Sequence, residues 1–92
     1  MSALKRRVYV DVMVEFWVDG TMRPRLIQWA DGAAYEIDRI ADVLPFVDMK
    51  PGVRGDRYTI LVRGQRRYLF FERNGSAAGR SIGRWFVEPP AT

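Results

Sequence analysis

The chain has no cysteine and no histidine, and only two of its 15 basic residues are lysine. Without cysteine there is no disulfide framework, thiolate nucleophile, zinc knuckle or iron–sulfur cluster. Without histidine there is no side chain that ordinarily titrates near pH 7. Ser-His-Asp and Cys-His catalysis are impossible within these 92 residues. Any proton transfer would fall to carboxylates, tyrosines, Ser/Thr, Lys5 or Lys50, all of which need strong environmental tuning to work near neutrality. The reading is of a protein that is not an enzyme, with no catalytic residue, no metal site and no cofactor.

Long uncharged apolar runs are missing as well. Asp11, Glu15 and Asp19 interrupt the most apolar N-terminal stretch, and no 18 consecutive residues lack charge. Neither a secretory leader nor a membrane-spanning helix is expected, and the cytoplasm is the expected compartment. Asn74-Gly75-Ser76 fits a glycosylation sequon but reads as a turn in that setting.

What is present is apolar and aromatic: 48% hydrophobic residues, with five Phe, four Tyr and three Trp. That is enough to fold one domain over residues 1–92, with an ordered core at about 7–88, and it argues against a disordered chain.

The patterning is that of strands. Val8, Val10, Val12, Val14, Phe16 and Val18 alternate with Tyr9, Asp11, Met13, Glu15, Trp17 and Asp19, a period of 2 that no helix explains. Asp19-Gly20 supplies a turn, Pro24 precedes a short strand at residues 25–29, and Ala30-Asp31-Gly32 turns the chain again. Residues 33–44 are ambiguous. Tyr35 and Ile37 alternate like a strand, whereas Ile37, Ile40, Ala41 and Leu44 have helical spacing; the expectation is a strand to about Ile40 and then an irregular connection. Pro45 and Pro51-Gly52 punctuate the next stretch, and residues 52–56 read as a loop needing positive-φ glycines. Strands are then expected at residues 58–63, 66–73 and 84–88, with Gly64-Gln65 as a hairpin turn and residues 74–83 as a longer loop. Six short strands without a helix predict an all-β small antiparallel barrel or coiled sheet, SH3-like first and OB-like second.

Charge is divided unevenly. Residues 1–50 carry 7 basic and 8 acidic side chains, whereas residues 51–92 carry 8 and 3, and all eight basic residues there are arginine. Guanidinium forks match phosphate oxygens and stack on bases. Arg57, Arg63, Arg66, Arg67, Arg73 and Arg84, with Tyr68 and Phe70 from the aromatic strand, are therefore candidate nucleic-acid-binding residues. The plainer account is a GC-rich genome placing arginine at ordinary solvated positions. For Tyr68, Leu69, Phe70 and Phe71 it is a strand buried on both faces.

Tyr9, Met13 and Trp17 share the odd face of the first strand, separated by acids. Facing outward they would form an apolar stripe suited to a protein partner or a homodimer; facing inward they are core. Glu36 and Asp38 fall on one face of the third strand, where a solvated surface is the simpler account than acid–base chemistry.

The runs Trp29-Ala30-Asp31-Gly32-Ala33-Ala34-Tyr35-Glu36-Ile37-Asp38-Arg39-Ile40, Gly55-Asp56-Arg57-Tyr58-Thr59 and Gly83-Arg84-Trp85-Phe86-Val87-Glu88 resemble a family of small uncharacterised bacterial all-β proteins. Its pattern is W-x-D-G-x-x-Y-x-I-D-R-[IV], then R-Y-T, then W-F-V-E. The resemblance implies a bacterial cytosolic domain and carries no activity with it. In physical terms it predicts that Trp29 and Tyr35 pair across a hairpin, that Asp38 and Arg39 form a local ion pair, and that Trp85 closes the core.

The sequence thus leads to a noncatalytic small β-barrel interaction module, alone or self-associating through an exposed strand edge or the Tyr9, Met13, Trp17 stripe. The alternative is a nucleic-acid-binding protein using an arginine and aromatic face. No membrane partner is expected.

Overall fold

The computed structural model describes residues 6–47, 54–73 and 82–89. Every regular element in them is a strand: β1 Val8–Phe16, β2 Met22–Gln28, β3 Ala34–Glu36, β4 Arg39–Val47, β5 Arg54–Val62, β6 Gln65–Arg73 and β7 Gly83–Val87. They form one curled antiparallel sheet in the order β3-β2-β1-β7-β6-β5-β4, an all-β half-barrel. The strand expected across residues 33–40 is in fact two, so seven strands replace six.

One strand divides its length between two neighbours, and a short corner links the two edges of the sheet. In β1, Val8, Tyr9 and Val10 pair with β7, whereas the chain from Asp11 onward pairs with β2. β3 and β4 occupy opposite edges of the sheet yet are separated only by Ile37 and Asp38. There the Ile37 amide donates to the Arg25 carbonyl on β2, and the Asp38 amide donates to Leu61 on β5. Two residues therefore tie one edge to the other, and buried Ile37 plugs the corner.

Alternation sends Val10, Val12 and Val14 inward to a core built from Ile27, Ile37, Tyr58, Ile60, Leu69, Phe71 and Trp85. Trp85 packs on both Tyr58 and Phe71, as a closing residue should. A second aromatic layer lies on the convex face. Phe86 stacks on Phe70 at 4.8 Å and meets Phe46 and Tyr9 edge-on, with the Arg7 guanidinium 4.5 Å above its ring. Phe86 is wholly buried although it points away from the concave core. The strand β6 is thus covered on both faces at Leu69, Phe70 and Phe71, as the plainer account of its sequence has it, whereas Tyr68 departs from that account and is exposed.

Prolines and glycines sit where a ladder can accept them. Val14 pairs with Pro24 and Met13 with Leu26, which leaves Arg25 as a bulge residue; the proline lies within β2 rather than ahead of it. The expected irregular connection after Ile40 is instead the nine-residue edge strand β4. A bulge between Ile40 and Asp42, together with Pro45, blunts that edge against pairing with another chain. The expected loop at residues 52–56 falls partly outside the described residues, but Arg54, Gly55 and Asp56 belong to β5. Gly55 is needed there for close approach and not for positive φ, since a Cβ would overlap the Phe71 carbonyl. The long loop at residues 74–83, the sequon within it and Pro51-Gly52 also lie outside the described residues, apart from Ile82 and Gly83.

Candidate functional site

The turn between β5 and β6 is Arg63-Gly64, with φ of 52° and 76°. Val62 faces Gln65 across it, so this is a two-residue hairpin of the mirror-image type that matches strand twist. Asparagine is the unstrained choice at its first position, and an arginine held there costs about 1 kcal/mol or more. Asp38 braces the turn by accepting from the Arg63 amide at 2.9 Å. Glu36 and Asp38 therefore do not share a strand face. Asp38 belongs to the corner, and no Asp38–Arg39 ion pair forms among the described residues.

Beyond the turn, β6 meets β7 only at Phe70, Phe71, Glu72 and Arg73. Residues 65–69 keep β5 on one side and have no strand on the other among the described residues. A cleft of about 630 Å³ opens at this gap, bounded by the ends of β2 and β3, the β5–β6 hairpin and the residues just after β7. Trp29, Tyr35, Ile60 and Val62 line it from the concave face, Arg63, Arg66 and Arg67 from the hairpin, and Tyr68 and Phe70 from β6. The Arg63 guanidinium stands 5.4 Å from the Tyr35 ring centre, and the Arg57 guanidinium lies over Tyr68 at 4.6 Å. Trp29 and Tyr35 do not pair directly across their hairpin, because Ile27 faces Tyr35 in the ladder. They instead share the cleft wall.

The arginines divide by the groups that neutralise them. Arg73 holds Asp56 at 2.7 Å, and Arg84 and Arg7 both hold Glu72. Among the described residues Arg57, Arg63, Arg66 and Arg67 have no carboxylate within ion-pair distance; Arg67 donates only to Gln65. Five residues of the proposed nucleic-acid set, Arg63, Arg66, Arg67, Tyr68 and Phe70, thus line one cleft, with Arg57 stacked beside Tyr68. Phe70 contributes little surface, being buried against Phe86 and Phe46. Arg73 and Arg84 do not join the set. Arg73 lines a smaller groove of about 490 Å³ toward the other end of β5, with Asp56 and Tyr58. Burial raises the Tyr58 pKa there, and its hydroxyl stays protonated and donates to the Met22 carbonyl at 3.2 Å.

Arg84 belongs to a convex-face network centred on Glu72, which also accepts from Tyr9 at 2.9 Å. Burial pushes the Glu72 pKa up, but hydrogen bonds from Arg84 and Tyr9 and the charges of Arg84 and Arg7 outweigh it and hold it below its usual 4.5. A carboxylate lowered in the folded state stabilises the fold above its unfolded pKa and loses that contribution as pH falls through the folded one. Glu72→Gln is expected to flatten the decline in melting temperature below about pH 4.5. Thermal melts of both proteins across pH 2–6, falling with the same slope, would show that Glu72 contributes no such linkage.

The Tyr9, Met13, Trp17 stripe is broken into three environments. All three residues are exposed, but Tyr9 is held by Glu72 and Arg84, and β1 ends at Phe16, which leaves Trp17 in the turn. There the Arg23 guanidinium covers the indole at 3.7 Å and Glu15 accepts from its N–H. Met13 alone stands open, 63% exposed, opposite Leu26 and between Asp11 and Glu15.

Because Arg63 is strained where Asn would not be, Arg63→Asn is expected to raise stability by about 0.5 to 1 kcal/mol while weakening any anionic ligand. Urea unfolding that shows no gain would contradict the strain assigned to this turn.

No helix of the described residues is long and apolar enough to cross a membrane. A scan against protein-family models, a search of curated proteins and a search of solved structures each return no match.

Proposed function

We propose that this chain is a noncatalytic small β-barrel whose partner is nucleic acid, held at the cleft between the β5–β6 hairpin and the β2–β3 turn. One observation carries the reading: Arg57, Arg63, Arg66 and Arg67, none of which has a carboxylate partner among the described residues, gather beside Tyr35 and Tyr68, whereas Arg73 and Arg84 are held by Asp56 and Glu72. Free guanidinium groups beside ring faces match the two things a nucleic acid offers everywhere, phosphate charge and base planes. The strained Arg63 supports it, since a turn that would be more stable with asparagine keeps the charge at the cleft. Fluorescence anisotropy with a labelled mixed-sequence oligonucleotide at about 50 mM salt should show saturable binding that weakens as salt rises. A flat titration at that salt would end the proposal.

A second reading, self-association through the convex face of β1 and β2, is favoured by the open Met13 beside Leu26. It requires a dimer in sedimentation experiments that Met13→Glu converts to monomer. A monomer at high concentration in the parent protein would remove it.

A further inference from the structure

We infer that the cleft takes single-stranded rather than duplex nucleic acid, with bases lodged on rings at both sides of the open β6 edge; the inference rests on the nucleic-acid reading above. Tyr35 and Trp29 are half-buried on the concave wall of the cleft, with the Arg63 guanidinium 5.4 Å from the Tyr35 ring and Arg67 lining the same cleft. Tyr68 presents a ring on the other face of β6, 47% exposed. Between them the sheet is open, because β7 leaves β6 after Phe70 and residues 65–69 have no further strand partner among the described residues.

A duplex keeps its bases paired and stacked, so it can offer phosphates to the outer arginines but cannot place a base plane against a ring set inside a cleft. A single strand can rotate its bases outward and stack them one by one. The cleft volume of about 630 Å³ suits a few flat rings and not a helix of base pairs. The guanidinium groups of Arg63 over Tyr35 and Arg57 over Tyr68 already mark these two faces as places where a flat group settles. The strand's phosphates then run along the β6 edge past Arg66 and Arg67. Two ring platforms on opposite sides of one strand edge would engage two to three consecutive nucleotides.

The test uses the full chain with labelled oligo(dT) and oligo(U) of 12 nucleotides and a 12-base-pair duplex at the same low salt. Single strands are expected to bind at least tenfold more tightly than duplex. Trp29→Leu and Tyr68→Ala should each lower single-strand affinity about tenfold while leaving duplex affinity unchanged. Tyr68 is exposed enough for its variant to report even if Trp29→Leu fails to fold. Equal affinity for all three probes, unmoved by either ring substitution, would overturn the inference and leave electrostatic binding standing. Binding to none of them would overturn both it and the nucleic-acid reading.

Discussion

Replacing Arg63, Arg66 and Arg67 together by glutamine is expected to lower affinity for a single-stranded oligonucleotide about a thousandfold at low salt, with the fold intact. Each guanidinium that meets a phosphate contributes a charge-assisted hydrogen bond worth about 1.5 kcal/mol, and three such losses multiply to roughly that factor. The dependence of log affinity on log salt should flatten by about 0.7 for each phosphate contact removed. Stability should change by no more than about 0.5 kcal/mol per site, because none of the three holds a carboxylate among the described residues. Arg73→Gln and Arg84→Gln are the matched controls. Their charges are already satisfied by Asp56 and Glu72, so they should lose stability more than affinity. Equal losses of affinity for the triple variant and the controls would mean that total charge, and not the cleft, governs binding.

Phe86→Ala is expected to destabilise the fold by about 3 to 5 kcal/mol, the cost of emptying a fully buried ring site. The residue is fully buried although it lies on the convex face of the sheet. Four groups cover it: the rings of Phe70, Phe46 and Tyr9 and the guanidinium of Arg7. Removing the phenyl ring leaves those four around a void and loosens the β1–β7–β6 junction, where Tyr9 and Phe70 both pair with Phe86. For a domain of this size the melting temperature should fall by roughly 15 to 30 °C. Met13→Ala, at an open position, should stay within about 0.5 kcal/mol of the parent. A Phe86→Ala protein with a near-parental melt would mean that the convex aromatic layer adds nothing to stability.

The first strand, the turns at Gly20 and Gly32, and the closing role of Trp85 follow from local chemistry, and all are legible in the residues. The edge strand β4 is not. The corner residue Ile37 and the β4 residue Ile40 both pack on the core three residues apart, and the bulge after Ile40 displaces the alternation again. A kinked strand with a bulge therefore mimics helical spacing, and Pro45 adds a false stop that an edge position tolerates.

The cleft is legible on one side only. The arginines and Tyr68 stand out by composition and by their place next to a tight turn. Trp29 and Tyr35, missing from the sequence-based set, read as hairpin furniture because nothing local reveals the surface opposite them. Their partner surface is set by the two-residue tie between β3 and β4, a contact between the sheet's opposite edges. The even spread of Tyr9, Met13 and Trp17 along one face misleads in the reverse direction. Regular spacing in sequence suggests a single stripe, yet an ion network claims one member and a turn claims another.

The most direct test of single-strand binding at the cleft is to record amide and indole NMR spectra of the parent chain while a single-stranded 12-mer is added. Shifts confined to Trp29, Tyr35 and residues 57–68, with Met13 and its β2 neighbours unmoved, are the predicted result. Shifts centred on Met13 and Leu26, or none at any point of the titration, would contradict it.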